Sequence, residues 1–239
     1  MNTLIPKIIH LSWKDKNLLE SDSPLVTEGV KKLIELNPEW EVTIYDDDEI
    51  DGYLKDQLES KHYALIADKH VVQKTDLWRL IKLYIDGGLY MDIDRFCNTP
   101  LNALMGEKTK WVVPTCRDYD FSHDFMMTSP DNPVYLYAAS LYVQRLLAGH
   151  ENIYYLGPQT YMHAITKSVF GSMVNTNPKP EIFNEIKEQM KASGFIKTYE
   201  EDPPYDTIIY RNGALALNWK AEKRKLYADS GLRHWSNEW

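Results

Sequence analysis

Two carboxylates one residue apart, Asp92 and Asp94, flank Ile93 and follow the apolar run Leu89-Tyr90-Met91. In an extended chain alternate side chains leave on the same face, so both carboxylates would point the same way. Carboxylates that close repel unless something positive lies between them. A hard divalent cation, Mn²⁺ or Mg²⁺, is the natural guest. An Asp-x-Asp also suits a solvated turn, so its surroundings must decide. Upstream, Asp76 and Arg79 stand at i and i+3 on a helical pattern. The rigid guanidinium fork of Arg79 suits hydroxyls and phosphate oxygens. The same spacing equally suits an ion pair on a helix surface.

The elements that would carry these groups read as a helix over 68–86, a double glycine, and a short buried strand. The helix has Val71, Val72, Leu77, Leu80, Ile81, Tyr84 and Ile85 on its apolar side. Gly87 and Gly88 end it where a positive φ is wanted, and a glycine there lets backbone approach a ligand closely. Before it, 7–12 reads as a buried strand, 24–36 as a helix with Pro24 at its first position, and 39–45 as an alternating strand. Strand, helix, strand at this spacing predicts a βαβ unit, and open α/β sheets bind ligands outside the carboxyl ends of their strands. The acidic run at 46–51 would open the next helix, near its positive end. After the carboxylate pair, strands are expected at 111–114 and 125–128, helices at 134–147, from 158 and at 181–193, and short strands within 194–218.

A net charge of −8 disfavours nucleic acid or an anionic membrane as the main partner. With 44% hydrophobic residues, 7 Trp and 16 Tyr, the chain supports a sizeable core and surfaces on which rings can stack. The 2 cysteines, Cys97 and Cys116, lack metal-ligand spacing and fit a reducing compartment. The first residues are too polar for a signal peptide, and no run reaches the ~18 apolar residues of a membrane span. The expectation is one domain over 1–239, cytoplasmic, with no transmembrane segment.

The blocks Ile5-Pro-Lys-Ile-Ile-His10 with Trp13, Lys74-Thr-Asp-Leu-Trp-Arg79 and Gly87-Gly-Leu-Tyr-Met-Asp-Ile-Asp94 together resemble the DXD-containing sugar transferases of glycosyltransferase family 32. That group holds initiating α-1,6-mannosyltransferases and capsular polysaccharide enzymes, and is distantly related to the large clostridial glucosylating toxins. Gly157-Pro158 and the closing His234…Trp239 resemble two further family blocks, with Glu238 where the family has serine.

The resemblance implies a GT-A fold: an α/β nucleotide-binding half over about 1–100, and an acceptor half over 101–239 closed by a C-terminal lid. It implies retaining transfer of a hexose from a nucleotide diphosphate sugar, UDP-sugars favoured, to a glycan or other hydroxyl acceptor, with Mn²⁺ or Mg²⁺ as cofactor. Carried over by position, Asp94 would ligate the metal directly, and His234 or Glu238 would close its shell. Asp92 would contact ribose, donor sugar and, through water, the metal. Asp76 and Arg79 would hold sugar hydroxyls, Trp13 would stack on the base, and Gly88 and Trp239 would line the donor. Asp118, Asp120, His123 and Asp124 fall in the acceptor region, and none is assigned as general base. A phosphohydrolase using Asp92 as nucleophile and a non-catalytic sugar-binding module are the competing classes.

Overall fold

A computed structural model describes residues 4–20, 24–116, 120–199, 207–209 and 215–218. The chain opens with strand β1 (Ile8–Ser12), helix α1 (Pro24–Leu36) and strand β2 (Glu41–Tyr45), the βαβ unit expected from spacing. β1 and β2 pair in parallel from Ile8↔Glu41 to Ser12↔Tyr45. Helix α2 (Asp47–Gln57) begins with a capping box between Asp46 and Glu49, which accounts for the acidic run.

The short helix α3 (Ser60–Tyr63) leads to α4 (Val71–Asp86) and strand β3 (Gly88–Met91), which pairs parallel to β1 on the side away from β2. The chain therefore steps from β1 to one neighbour and returns to the other. Strand order reverses at β1, and the carboxyl ends of β1 and β3 flank the switch point. Strands β4 (Phe96–Cys97), β5 (Trp111–Cys116), β6 (Asp120–Phe121) and β7 (Phe125–Thr128) follow. β7 pairs antiparallel to both β3 and β5, making the sheet mixed.

Helices α5 (Pro133–Leu147), α6 (Ile153–Leu156), α7 (Pro158–Phe170) and α8 (Pro180–Ala192) precede β8 (Ile196–Tyr199), which lies parallel to β5. Strands β9 (Thr207–Ile209) and β10 (Leu215–Asn218) form a second small sheet with β4.

Alternate residues of the central strands enter different cores. Tyr90, Trp111, Val113 and Met126 join one apolar cluster with α4, α5, α7 and α8. Leu89, Met91, Val112, Phe125 and Met127 join another with Leu33 of α1 and Trp40. Strands covered on both faces read as continuous apolar runs, as 89–91 and 125–127 do. Among the described residues no helix is long and apolar enough to cross a membrane.

Two expectations for the central helix are corrected. α4 starts at Val71, three residues later than 68, because His70 caps it by accepting from the Val72 amide. Its buried residues are Gln73 and the run from Thr75 to Leu80 with Leu83, whereas Ile85 is 43% exposed. α4 packs against α2 on one side and α5 on another, so little of its middle remains for solvent. The Asp76–Arg79 pair is consequently internal.

Candidate active site

Asp92 follows the end of β3, and its amide is tied to the neighbouring strand connection by a 2.9 Å bond to the Asp124 carbonyl. The chain then turns, with the Arg95 amide donating to the Asp92 carbonyl at 3.0 Å. Strand alternation sends the Asp92 side chain to the face of Tyr90, toward α4. The Tyr90 hydroxyl donates to Asp92 Oδ1 at 2.6 Å and lies 3.3 Å from Ser12 Oγ at the end of β1.

Arg79 occupies the middle of this arrangement. Its guanidinium stacks 4.2 Å over the Tyr90 ring. It reaches Asp76 Oδ1 at 2.8 Å, Asp92 Oδ1 at 3.3 Å and the His123 carbonyl at 2.8 Å. Asp76 and Arg79 side chains are 4% and 6% exposed, so a surface pair worth little becomes a buried pair whose rupture would strand a charge. Asp92 keeps a third of its side chain open (33%), which makes it the accessible end of the chain of contacts.

Burial raises the Asp76 carboxyl to about 7, against the pull of Arg79 and with help from Asp92. Burial also raises Asp92, to about 6; Asp94 and Asp124 add to the rise, while Arg79 and the Tyr90 hydroxyl oppose it. The imidazole of His123 is held neutral by burial and by Arg79. It stands 3.6 Å from Asp76 Oδ1 and packs against the Tyr161 ring.

Asp94 lies within this turn and is 4% exposed. Two hard carboxylate oxygens on one loop fit a hard divalent cation, which takes its remaining ligands from phosphate and water. Among the described residues no group of three or more His, Cys, Asp or Glu side chains is arranged to hold a metal ion. His234, Glu238 and Trp239, expected to close the site, lie outside the described residues, as does Asp118.

The remaining expected residues fall in different places. Trp13 follows β1 at the correct strand end, but it is 7% exposed and belongs to the apolar cluster with Leu11, Leu18, Met91 and Ile93. Gly88 starts β3, at the end opposite Asp92, and a Cβ there would meet the Ile8 carbonyl at 2.5 Å. The close approach it permits is strand to strand. Gly87 likewise has φ 66° and faces Pro130 and Thr128 backbone. His10 is a core residue, with Nε2 3.0 Å from the Gly87 carbonyl.

Several contributors were missed. Arg95 is buried and grips Asp124, 29 positions away, with Nε at 2.7 Å and a second, shorter contact from the same guanidinium. Nothing local in sequence announces a pair so far apart. In the sequence Gly157 stands out only as part of the Gly157-Pro158 block. A Cβ on it would stand 2.2 Å from Asp76 Oδ2, so the glycine makes room for the carboxylate.

Known proteins resemble this part of the chain. Residues 23–111, which contain Asp76, Arg79, Asp92 and Asp94, match the family model for the glycosyltransferase sugar-binding region containing a DXD motif. Inositol phosphoceramide mannosyltransferase 1 of Schizosaccharomyces pombe is 29% identical over 135 residues, 56% of this chain and 41% of that protein. An uncharacterized glycosyltransferase, L373, of Acanthamoeba polyphaga mimivirus is 30% identical over 105 residues, 43% of this chain and 41% of that protein. The chain spans less than half the length of these relatives. Among solved structures, the PaToxG glycosyltransferase superposes with a TM-score of 0.56 at 18% identity, covering 95% of this chain and 86% of that one. That likeness shows the fold, which is of the GT-A type. The resemblance to DXD-containing sugar transferases therefore holds.

Proposed function

We propose that the protein transfers a hexosyl group from a nucleoside diphosphate sugar to a hydroxyl acceptor on a glycan or glycolipid, with retention of anomeric configuration. The observation that carries this reading is the buried chain Asp76–Arg79–Asp92, which ends at a partly open carboxylate beside Asp94 at the switch point of the sheet. A site for a neutral sugar needs fixed, charged hydrogen-bonding groups whose own charges are balanced internally. Arg79 and its two carboxylates meet that need.

Asp94 and Asp92 would hold a divalent cation, Mn²⁺ or Mg²⁺, which supplies Lewis-acid stabilisation of the departing diphosphate. The chain's own groups do the positioning. Asp76 and Arg79 would hold donor sugar hydroxyls, and Asp92 would contact the sugar or ribose. Tyr90 keeps Asp92 and Arg79 in register from below, since its hydroxyl and its ring each hold one of them. Holding reacting groups in a fixed orientation in this way lowers the barrier to transfer. His234 and Glu238 enter the proposal by resemblance, as groups that would close the metal's shell, and Trp239 as part of the donor site.

The donor nucleotide is the open choice. Trp13, the expected stacking platform for the base, is 7% exposed and offers little free face. The mannosyltransferase names of the fungal relatives make GDP-mannose the competing donor.

A thermal-shift panel of UDP, GDP, CDP and TDP, each with and without Mn²⁺, tests binding, since a ligand of the folded state raises apparent stability. Turnover of UDP-glucose, UDP-galactose and GDP-mannose then tests the reaction, and NMR of the product gives the anomeric outcome. A nucleotide shift that persists unchanged with chelator would remove the metal. Binding without turnover of any donor would leave a sugar-binding module.

A further inference from the structure

Three carboxylates converge on the DXD loop, and a buried arginine occupies one of them. Asp124 sits beside Asp92: its carbonyl accepts the Asp92 amide at 2.9 Å, and its charge is near enough to raise the Asp92 pKa. Its side chain is 25% exposed, comparable with Asp92 at 33%, so burial alone would not keep it from a bound cation. Yet Arg95, whose side chain is 2% exposed, places Nε and a terminal nitrogen on the single oxygen Oδ2. The other oxygen, Oδ1, accepts from Ser122 Oγ.

Arg95 is the residue immediately after Asp94, and its amide closes the turn back to the Asp92 carbonyl. The same residue therefore shapes the loop through its backbone and neutralises the nearest competing carboxylate through its side chain. On the other side, Arg79 holds the carbonyl of His123, next in the chain to Asp124. The segment from Ser122 to Asp124 is thus clamped by both arginines of the site.

We infer that Arg95 is a positioning residue that withholds Asp124 from the metal, so that the cation sees the Asp92–Asp94 pair and keeps its other positions for the donor diphosphate. This rests on the metal-dependent reading proposed above. A third carboxylate in the shell would bind the bare cation more tightly, because affinity for hard cations rises with the number of charged ligands. It would also reduce the positive charge left for the diphosphate. Tighter metal and slower transfer is the combination that a loss of folding or packing does not produce.

The test is direct Mn²⁺ titration, by electron paramagnetic resonance of the free ion, of wild type, R95M, R95K, D124N and R95M/D124N. Each is measured with and without UDP or GDP, and each melting temperature is recorded. The expected result is that R95M binds Mn²⁺ at least about threefold more tightly than wild type while kcat falls. The double variant should return to wild-type Mn²⁺ affinity. R95K, which keeps a charge but lacks the two-nitrogen grip, should fall between. Wild-type binding that R95M leaves unchanged or weakens, in a protein that still melts cooperatively, overturns the role of Arg95 alone. Absence of Mn²⁺ binding by wild type, even with both nucleotides, overturns the metal reading and this inference together. Should R95M fail to fold, D124N decides. Under the inference it leaves Mn²⁺ affinity at the wild-type value, and a several-fold weakening would mean that Asp124 is itself a ligand.

Discussion

Asp76 and Gly157 occupy one space: a Cβ on the glycine would lie 2.2 Å from Asp76 Oδ2 and 2.8 Å from its carboxyl carbon. Two elements far apart in the chain, α4 and the start of α7, meet there at a carboxylate paired with Arg79. Gly157→Ala should push Asp76 off Arg79. We expect kcat/KM to fall by about 100-fold, with a stability loss of about 1–3 kcal/mol for the overpacked contact. In the background of Asp76→Ala the same change should cost little more, because the clash has lost its partner. Steady-state kinetics and denaturant midpoints of the two single variants and the double variant check this.

Asp94→Asn keeps the shape and removes the charge of the candidate metal ligand. Transfer should drop by about 100-fold or more and should not recover at saturating Mn²⁺. Full activity under those conditions would sink the role given to Asp94.

Tyr90→Phe separates the two duties of that ring. The hydroxyl bonds to Asp92 and Ser12 disappear, while the stack under Arg79 survives. A stability loss of about 1 kcal/mol is expected for the lost bonds. A fall in kcat several times larger than any rise in KM would show that Asp92 must be held still during the reaction. Equal loss from Tyr90→Phe and Tyr90→Leu would instead make the aromatic stack the main contribution.

Two buried groups, His10 and Asp120, make stability depend on pH in opposite directions over overlapping windows. Burial lowers His10 from 6.5 to about 4. Between those values the unfolded chain carries a proton that the folded one refuses, so stability drops as pH falls through the window. At ~1.4 kcal/mol per unit the loss is on the order of 3 kcal/mol.

Burial raises Asp120 from 3.8 to about 7, against its bonds to the Phe121 amide and the Tyr154 hydroxyl. There the folded state keeps a proton that the unfolded state has lost, and stability drops as pH rises through the window. Urea midpoints across about pH 4–8 should show stability falling more steeply with rising pH in His10→Gln, and less steeply or rising in Asp120→Asn. A variant that shifts the whole curve without changing its slope would mean that the residue does not titrate in its window.

Removal of residues 234–239 tests the lid that the resemblance places at the C-terminus. Transfer should be abolished with the far-UV circular dichroism spectrum retained. Normal turnover by the shortened chain would confine the site to the DXD half.

Sequence by itself determined the β1–α1–β2 unit, the stretch from α4 through β3, and the place of the DXD loop after it. Those features are local: apolar runs of strand length, helical spacing, a capping pattern and a glycine pair each leave a mark within a few residues. Local pattern cannot say which side of a helix is buried when several layers cover it. Asp76 and Arg79 therefore read as surface-compatible, and Ile85 read as core. Only the tertiary structure decided that the ion pair is internal, because α2 and α5 both close over α4. It also decided that Gly88 serves the strand pairing and that Trp13 is largely covered. The grip of Arg95 on Asp124 and the fit of Gly157 against Asp76 belong to the same class. Each joins residues distant in the chain, and a single sequence records only the ends of such a contact, never the contact.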